Sequence, residues 1–147
     1  MSNTDADKLF IKGIEALDQD NTLLALSYFE KALNIEDSLI ISSYFAFCIA
    51  KERGQLSKAI SLCENAIKND PESSVHYLNL GRIYLLSNKR EEAIKIFKKG
   101  LNYETNQKIV DEMNRLGMRK TPVLSFLKRS NLINKYMGSI LKKLRLR

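Results

Sequence analysis

The sequence predicts an all-α protein in which consecutive helical hairpins stack into a solenoid. Small and aromatic residues recur at a spacing of 34 residues. Within each period the apolar residues follow the spacing of amphipathic helices rather than the alternation of strands. A chain of 147 residues, 44% of them hydrophobic and 28% charged, is long enough to bury the core of one such domain.

The repeat is clearest in the second helix of each predicted hairpin. At this spacing the columns contain Ala25, Ala59 and Ala93, then Phe29, Cys63 and Phe97, and then Ala32, Ala66 and Gly100. In the first helices one column contains Gly13, Phe47 and Gly81. Ala and Gly let two helices approach closely, and aromatic side chains fill the space between neighbouring hairpins. Each period therefore predicts two crossing helices, joined by turns at Asp20-Asn21, Gly54-Gln55 and Ser87-Asn88.

These columns resemble the tetratricopeptide repeat (TPR), a helix-turn-helix motif with small residues where its helices cross. The resemblance implies a right-handed α-solenoid of three hairpins. It follows a lead-in of residues 1–5 and gives the repeats 6–39, 40–73 and 74–107. In the second repeat Phe47 replaces the small residue and Cys63 replaces the aromatic residue. A bulky-for-small change beside a small-for-bulky change predicts compensating repacking.

The repeat pattern does not continue into a fourth period, because Arg115 would replace the small residue and Asn131 the aromatic one. The apolar residues that follow the third repeat are Ile109, Val110, Met113 and Leu116. Solenoids need a cover over the apolar face of their last repeat. Residues 108–118 are therefore predicted to form a single capping helix.

The resemblance implies that partners bind the concave face lined by the first helix of each repeat. The candidate lining residues are Phe10, Ile14, Leu17, Tyr44, Cys48, Lys51, Leu78, Asn79, Arg82 and Leu85. They are mainly apolar, which predicts a protein or peptide partner held by contact area rather than by charge. Only Asn79 and Arg82 resemble the clamp that chaperone-binding TPR domains use for a C-terminal carboxylate. An alternative is that Phe10, Tyr44 and Leu78 belong to the core or lie under the C-terminal segment.

Charge is divided unevenly along the chain. Residues 1–112 contain 14 Lys or Arg and 17 Asp or Glu, whereas residues 113–147 contain 10 Lys or Arg and no acidic residue. Within the extension 119–147, apolar residues recur at helical spacing and predict a basic amphipathic helix. Its candidate basic residues are Lys135, Lys142, Lys143, Arg145 and Arg147.

Three hypotheses account for this helix. It packs on the repeat stack, as a further cap or in the groove, or it binds an anionic membrane surface through its cations and apolar face. Contact with nucleic acid is the third and weakest hypothesis, because the segment lacks the interleaved aromatic residues and the recognisable fold of a base reader. The sequence leaves the first two open.

The sequence offers no constellation of catalytic or metal-binding residues. His76 is the single histidine and has no cluster of Cys or carboxylates at ligand spacing, and the six Gly form no phosphate-binding loop. We therefore expect no enzymatic activity, no cofactor, no metal and no small-molecule substrate. Cys48 and Cys63 are expected to be ordinary small apolar residues. The polar start and the lack of a spanning stretch predict a cytoplasmic protein, peripheral to a membrane if the basic helix binds one.

The sequence thus predicts an interaction adaptor that binds its partner in the concave groove. The alternative is a peripheral membrane protein in which the repeats are carried by the basic helix.

Overall fold

A computed structural model describes residues 4–117 of the chain, and within them every regular element is a helix. The helices are α1 (Asp5–Asp18), α2 (Thr22–Ile35), α3 (Leu39–Arg53), α4 (Leu56–Asn69), α5 (Ser74–Leu86), α6 (Arg90–Tyr103) and α7 (Gln107–Arg115). The predicted basic extension and its candidate residues lie outside the described part of the chain. No helix in residues 4–117 is long and apolar enough to span a lipid bilayer.

The helices pair in chain order into three antiparallel hairpins, α1 with α2, α3 with α4, and α5 with α6. Neighbouring hairpins pack through α2 on α3, α3 on α5 and α4 on α5, and α7 packs on α6. This arrangement is an α-solenoid, as the repeat predicts. The predicted helix after the third repeat is present as α7, and the predicted boundaries of the individual repeats stay predictions.

Each hairpin turns at a residue in the left-handed region of the backbone. These residues are Asp20 with φ 59°, Gly54 with φ 66° and Asn88 with φ 60°. Gly, Asn and Asp are the residues that adopt this conformation at least cost. The turns therefore lie where the sequence predicts them, at the same phase of each hairpin.

The crossing of the two helices in a hairpin depends on its smallest residues. Ala25, Ala59 and Ala93 are fully buried at the three crossings. In the first and third hairpins, a Cβ at Gly13 or Gly81 would overlap the ring of Phe29 or Phe97, respectively. Glycine is therefore required at both positions because the aromatic ring occupies the space of a side chain.

The second hairpin exchanges these two roles. Phe47 on α3 is half-buried, and Cys63 on α4 is fully buried with its Sγ 3.9 Å from the backbone oxygen of Ser43. Cys48 and Cys63 are free thiols. The aromatic side chain has moved from the second helix to the first, and the crossing remains closed by Ala59.

Candidate partner-binding face

The first helices α1, α3 and α5 share one side of the stack, which we call the first-helix face. The ten candidate residues all belong to these three helices, namely Phe10, Ile14, Leu17, Tyr44, Cys48, Lys51, Leu78, Asn79, Arg82 and Leu85. The rings of Phe10 on α1 and Tyr44 on α3 lie 5.7 Å apart. Helix α7 reaches the same side, because Glu112 Oε2 accepts a 2.7 Å hydrogen bond from Arg82 Nε on α5.

The candidate residues divide into buried and open groups. Tyr44, Cys48, Leu78 and Asn79 are buried, with no more than 5% of each residue exposed. Lys51 is exposed, and the half-buried candidates are Phe10, Ile14, Leu17, Arg82 and Leu85. Only the exposed and half-buried residues can meet a partner without a change in the fold.

Aromatic packing explains why Tyr44 is buried. The rings of Phe10, Phe29 and Tyr44 contact one another, with Phe29 on α2 at centroid distances of 5.9 Å from Phe10 and 5.6 Å from Tyr44. Rings at these separations attract each other beyond the area they bury. Burial raises the pKa of Tyr44, and the positive charge of Arg82 opposes that shift. These rings therefore hold the first hairpin to the second.

Asn79 belongs to a buried polar cluster between the second and third hairpins. Its Nδ2 donates to Ser43 Oγ at 3.3 Å, and His76 Nδ1 lies 3.2 Å from the same oxygen. Asp70 Oδ2 lies 3.4 Å from His76 Nε2. Burial lowers the pKa of His76, and the carboxylates of Asp70 and Glu104 oppose this effect. Asn79 is thus directed into the stack and cannot serve as a clamp for a carboxylate at the surface.

Arg82 is also engaged within the protein. Its guanidinium lies 5.4 Å from the ring centroid of Phe47 and pairs with Glu112, and the two charged side chains are 17% and 9% exposed. Leu78 packs in one cluster with Ile109, Val110 and Met113 of α7. Helix α7 therefore covers Leu78 and Arg82 of the third hairpin.

The open part of the face lies along α1 and α3. Ile14 and Leu17 offer half-buried apolar area on α1, and Lys51 is exposed on α3. Lys51 Nζ lies 3.7 Å from Asp20 Oδ1, so the charge at this rim is balanced. On α5, Leu86 adds an apolar side chain that is 40% exposed. We call these open apolar side chains of α1 and α5, which have charges of both signs near them, the apolar strip.

Residues 50–111 match the family model of the tetratricopeptide repeat. This segment contains tetratricopeptide repeats. The crystal structure of the Sgt2 TPR domain from Aspergillus fumigatus is similar to this structure with a TM-score of 0.55 and 22% sequence identity. The match covers 77% of this chain and 80% of that chain, and at this identity it shows the fold alone. No curated protein matches the chain.

Sequence reasoning missed two features of this TPR face. One is the role of α7, whose Glu112 and Lys108 reach α5 and α1. The other is the polar cluster around Ser43. Glu112 stands out in the sequence as a carboxylate among the apolar residues of α7. The residues near it in the chain do not indicate that Arg82 is its partner. Within residues 4–117 no group of three His, Cys, Asp or Glu side chains could hold a metal ion.

Proposed function

We propose that the protein is an adaptor that holds a protein or peptide partner on its first-helix face. TPR domains bind partners on the extended concave surface of the solenoid. The observation that carries the proposal is the set of apolar side chains that stay half-buried or exposed on the first helices, with Ile14 and Leu17 on α1 and Leu85 and Leu86 on α5, the last of them 40% exposed. Open apolar side chains grouped on one face mark an interaction site.

The strip favours an apolar helix or an extended peptide as the partner. Such segments bind by placing regularly spaced apolar side chains in a groove. The rim carries both signs of charge, with Asp20 close to Lys51 and Asp18 close to Lys108. Since exposed charges of opposite sign cancel over a Debye length of roughly 10 Å at 0.1 M salt, binding should respond little to salt.

The buried titratable groups support binding rather than catalysis. Burial raises the pKa of Cys48 to about 12, so its nucleophilic thiolate is scarce at neutral pH. His76 is held inside the stack by Ser43. Both groups serve the interior of the domain. Free buried thiols also suit a reducing compartment, so we propose a cytoplasmic location.

Site-specific photo-crosslinking tests the proposal. A photoreactive amino acid replaces Lys51 on the first-helix face or Lys58 on α4, both exposed positions of the second hairpin. We expect a crosslinked partner from position 51 and none from position 58. The variant Leu17→Asp with Leu85→Asp, checked for an unchanged helical melt, should lose that partner. Equal crosslinking from both positions would place the interaction elsewhere.

A second candidate function belongs to the C-terminal segment. Residues 113–147 contain 10 Lys or Arg and no acidic residue, which favours attachment to an anionic membrane surface. Roughly 1 kcal/mol per basic residue near such a surface would support reversible binding. The test is flotation of the full chain with vesicles containing phosphatidylserine. Changing Lys142, Lys143, Arg145 and Arg147 to Gln should reduce flotation; unchanged flotation would rule this function out.

A further inference from the structure

Glu112 of α7 is the buried partner of Arg82 on the first-helix face. Its Oε2 lies 2.7 Å from Arg82 Nε, and its Oε1 lies 3.4 Å from Arg115 Nη1. The Glu112 side chain is 9% exposed and the Arg82 side chain 17%. A carboxylate with two cations at these distances is firmly held, and the Arg82 end of the pair lies on a candidate partner-binding position.

The ion pair is not needed to cap the solenoid. Three apolar residues of α7, Ile109, Val110 and Met113, cover Phe97 and Leu101 at the end of the stack. A buried ion pair contributes little more stability than apolar side chains of the same size, because both charges lose their hydration. The pair instead fixes where α7 lies, with its polar side on the first-helix face.

A second contact extends α7 along the same face. Lys108 Nζ lies 3.9 Å from Asp18 Oδ1 at the end of α1, two hairpins away in the chain. Both side chains are well exposed, at 41% and 65%, so this contact holds α7 only weakly. Helix α7 therefore spans the face from the third hairpin towards the first, and Arg82 with Glu112 is its strong attachment.

We propose that α7 is a resident occupant of the partner-binding face that a partner must displace in order to reach Arg82 and Leu78. This inference rests on the proposed function, since it assumes that the first-helix face is the binding face. It adds that the face is partly closed in the free protein and that Glu112 controls its opening.

The groups that α7 contacts on α5, Arg82 and Leu78, determine the chemistry of a segment that could displace α7. A partner that took the place of α7 would cover Arg82 again, over the ring of Phe47 and without the carboxylate of Glu112 beside it. An unpaired buried charge is strongly unfavourable. The partner segment must therefore supply a carboxylate for Arg82 and apolar side chains for Leu78, as α7 itself does.

Hydrogen exchange of the full-length protein tests the closed state. We compare the parent with Glu112→Gln and with the control Asp111→Asn, whose carboxylate is exposed and accepts from Gln107 at 2.9 Å. Exchange of the α7 amides should rise at least about tenfold in Glu112→Gln and stay unchanged in the control, because only Glu112 pairs with a buried cation. The amides of α3 to α6 should keep their parent rates.

Two results would overturn the proposal. If the α7 amides of Glu112→Gln exchange at the parent rate, the ion pair does not hold the helix. If α5 and α6 exchange faster together with α7, the helix is an inseparable part of the fold. Neither result affects crosslinking from position 51, so the inference can fail while the proposed function stands.

A peptide with the sequence of residues 106–117 tests the partner chemistry. It is titrated into the isotope-labelled Glu112→Gln chain, and the resonances of Arg82 and Phe47 are followed by NMR. The peptide should shift these resonances. A matched peptide with Gln at the position of Glu112 should reach the same shift only at a concentration at least about tenfold higher. If both peptides act at the same concentration, the partner segment does not need a carboxylate, and that part of the proposal is wrong.

Discussion

The first and third hairpins cross their helices through a glycine set against a phenylalanine, whereas the second hairpin carries its aromatic residue on the opposite helix. In the outer hairpins Phe29 and Phe97 are fully buried against Gly13 and Gly81. In the second, Phe47 is half-buried on the first helix and Cys63 fills the buried position on the second. Each of the three hairpins nevertheless pairs its two helices in chain order.

From this difference we expect that the crossing needs the summed volume of the pair rather than a particular residue in each column. Cores tolerate exchanges that conserve volume and respond strongly to those that do not. The exchange also has a consequence at the surface of the second hairpin. It places an aromatic ring on α3, where the guanidinium of Arg82 lies 5.4 Å from the centroid of Phe47.

The two interfaces between hairpins differ as well. The first and second hairpins meet through the rings of Phe10, Phe29 and Tyr44. The second and third meet around Ser43 Oγ, which both Asn79 and His76 contact. An apolar interface tolerates small adjustments, whereas a buried polar cluster loses stability when one member is left unpaired.

The largest effect is expected when the third hairpin is given the pattern of the second. Gly81→Phe should destabilise the domain by about 3 kcal/mol or more, because the new ring would overlap Phe97. Phe97→Cys alone should cost about 3 kcal/mol through the cavity that it leaves. The measurement is chemical unfolding followed by circular dichroism.

The double variant with both changes decides whether volume is exchanged between the helices. We expect it to be more stable than the sum of the single effects by about 1–3 kcal/mol, the range for residues in direct contact. Strict additivity would show that the Phe47 and Cys63 arrangement depends on features of the second hairpin beyond the pair.

Ser43→Ala sharpens the contrast between the two interfaces. It removes the oxygen that Asn79 Nδ2 and His76 Nδ1 both contact, and should cost about 2 kcal/mol because buried polar groups lose their partner. The matched control is Ser42→Ala, a half-buried neighbour on the same helix, which should cost less than about 0.5 kcal/mol. Equal midpoints in urea for the two variants would show that the cluster contributes no net stability.

A smaller effect distinguishes the ends of the hairpins. Glu36, Asp70 and Glu104 stand at the same phase of the repeat. Glu104 accepts hydrogen bonds from the first residue of α5, from Ser74 N at 3.2 Å and Ser74 Oγ at 2.7 Å. Because Ser73 provides no side-chain cap for α5, Glu104→Ala should cost about 1 kcal/mol in thermal or urea unfolding.

The exposed Glu36 provides the control at the same phase of the first hairpin. Glu36→Ala should change stability by less than about 0.5 kcal/mol. If Glu36→Ala lowers the stability as much as Glu104→Ala does, the acidic residue at this phase acts through its negative charge and not through hydrogen bonds to the start of α5.

The smallest effect is the pH dependence contributed by His76. Burial lowers its pKa in the folded protein below the unfolded value of about 6.5, while Asp70 and Glu104 partly offset that shift. The neutral form is therefore favoured on folding. The stability that neutral His76 contributes to the folded state is present above about pH 6.5. It is lost as the pH falls below that value towards the pKa of His76 in the folded protein.

Urea midpoints at about pH 7.5 and pH 5.5 measure this contribution. The parent should lose more stability between the two than His76→Gln, which cannot take up the proton. A larger loss in His76→Gln would mean that Asp70 outweighs burial and raises the folded pKa.

Periodicity in the sequence was sufficient for the fold because it depends on local and repeated features. The buried Ala column, the turn residues such as Gly54 and the exchange of Phe47 with Cys63 are all legible as residue types at fixed spacing. Each hairpin meets a neighbour of nearly the same shape, so one register accounts for the whole stack.

Only the tertiary structure decided which residues of the first-helix face remain open. Helical spacing places Tyr44, Leu78 and Arg82 on one side of their helices, but it does not show what lies across from that side. The ring of Phe29 buries Tyr44, and α7 covers Leu78 and pairs Glu112 with Arg82. These contacts join residues far apart in the chain. Their geometry depends on how the hairpins and α7 are oriented together, which no local pattern records.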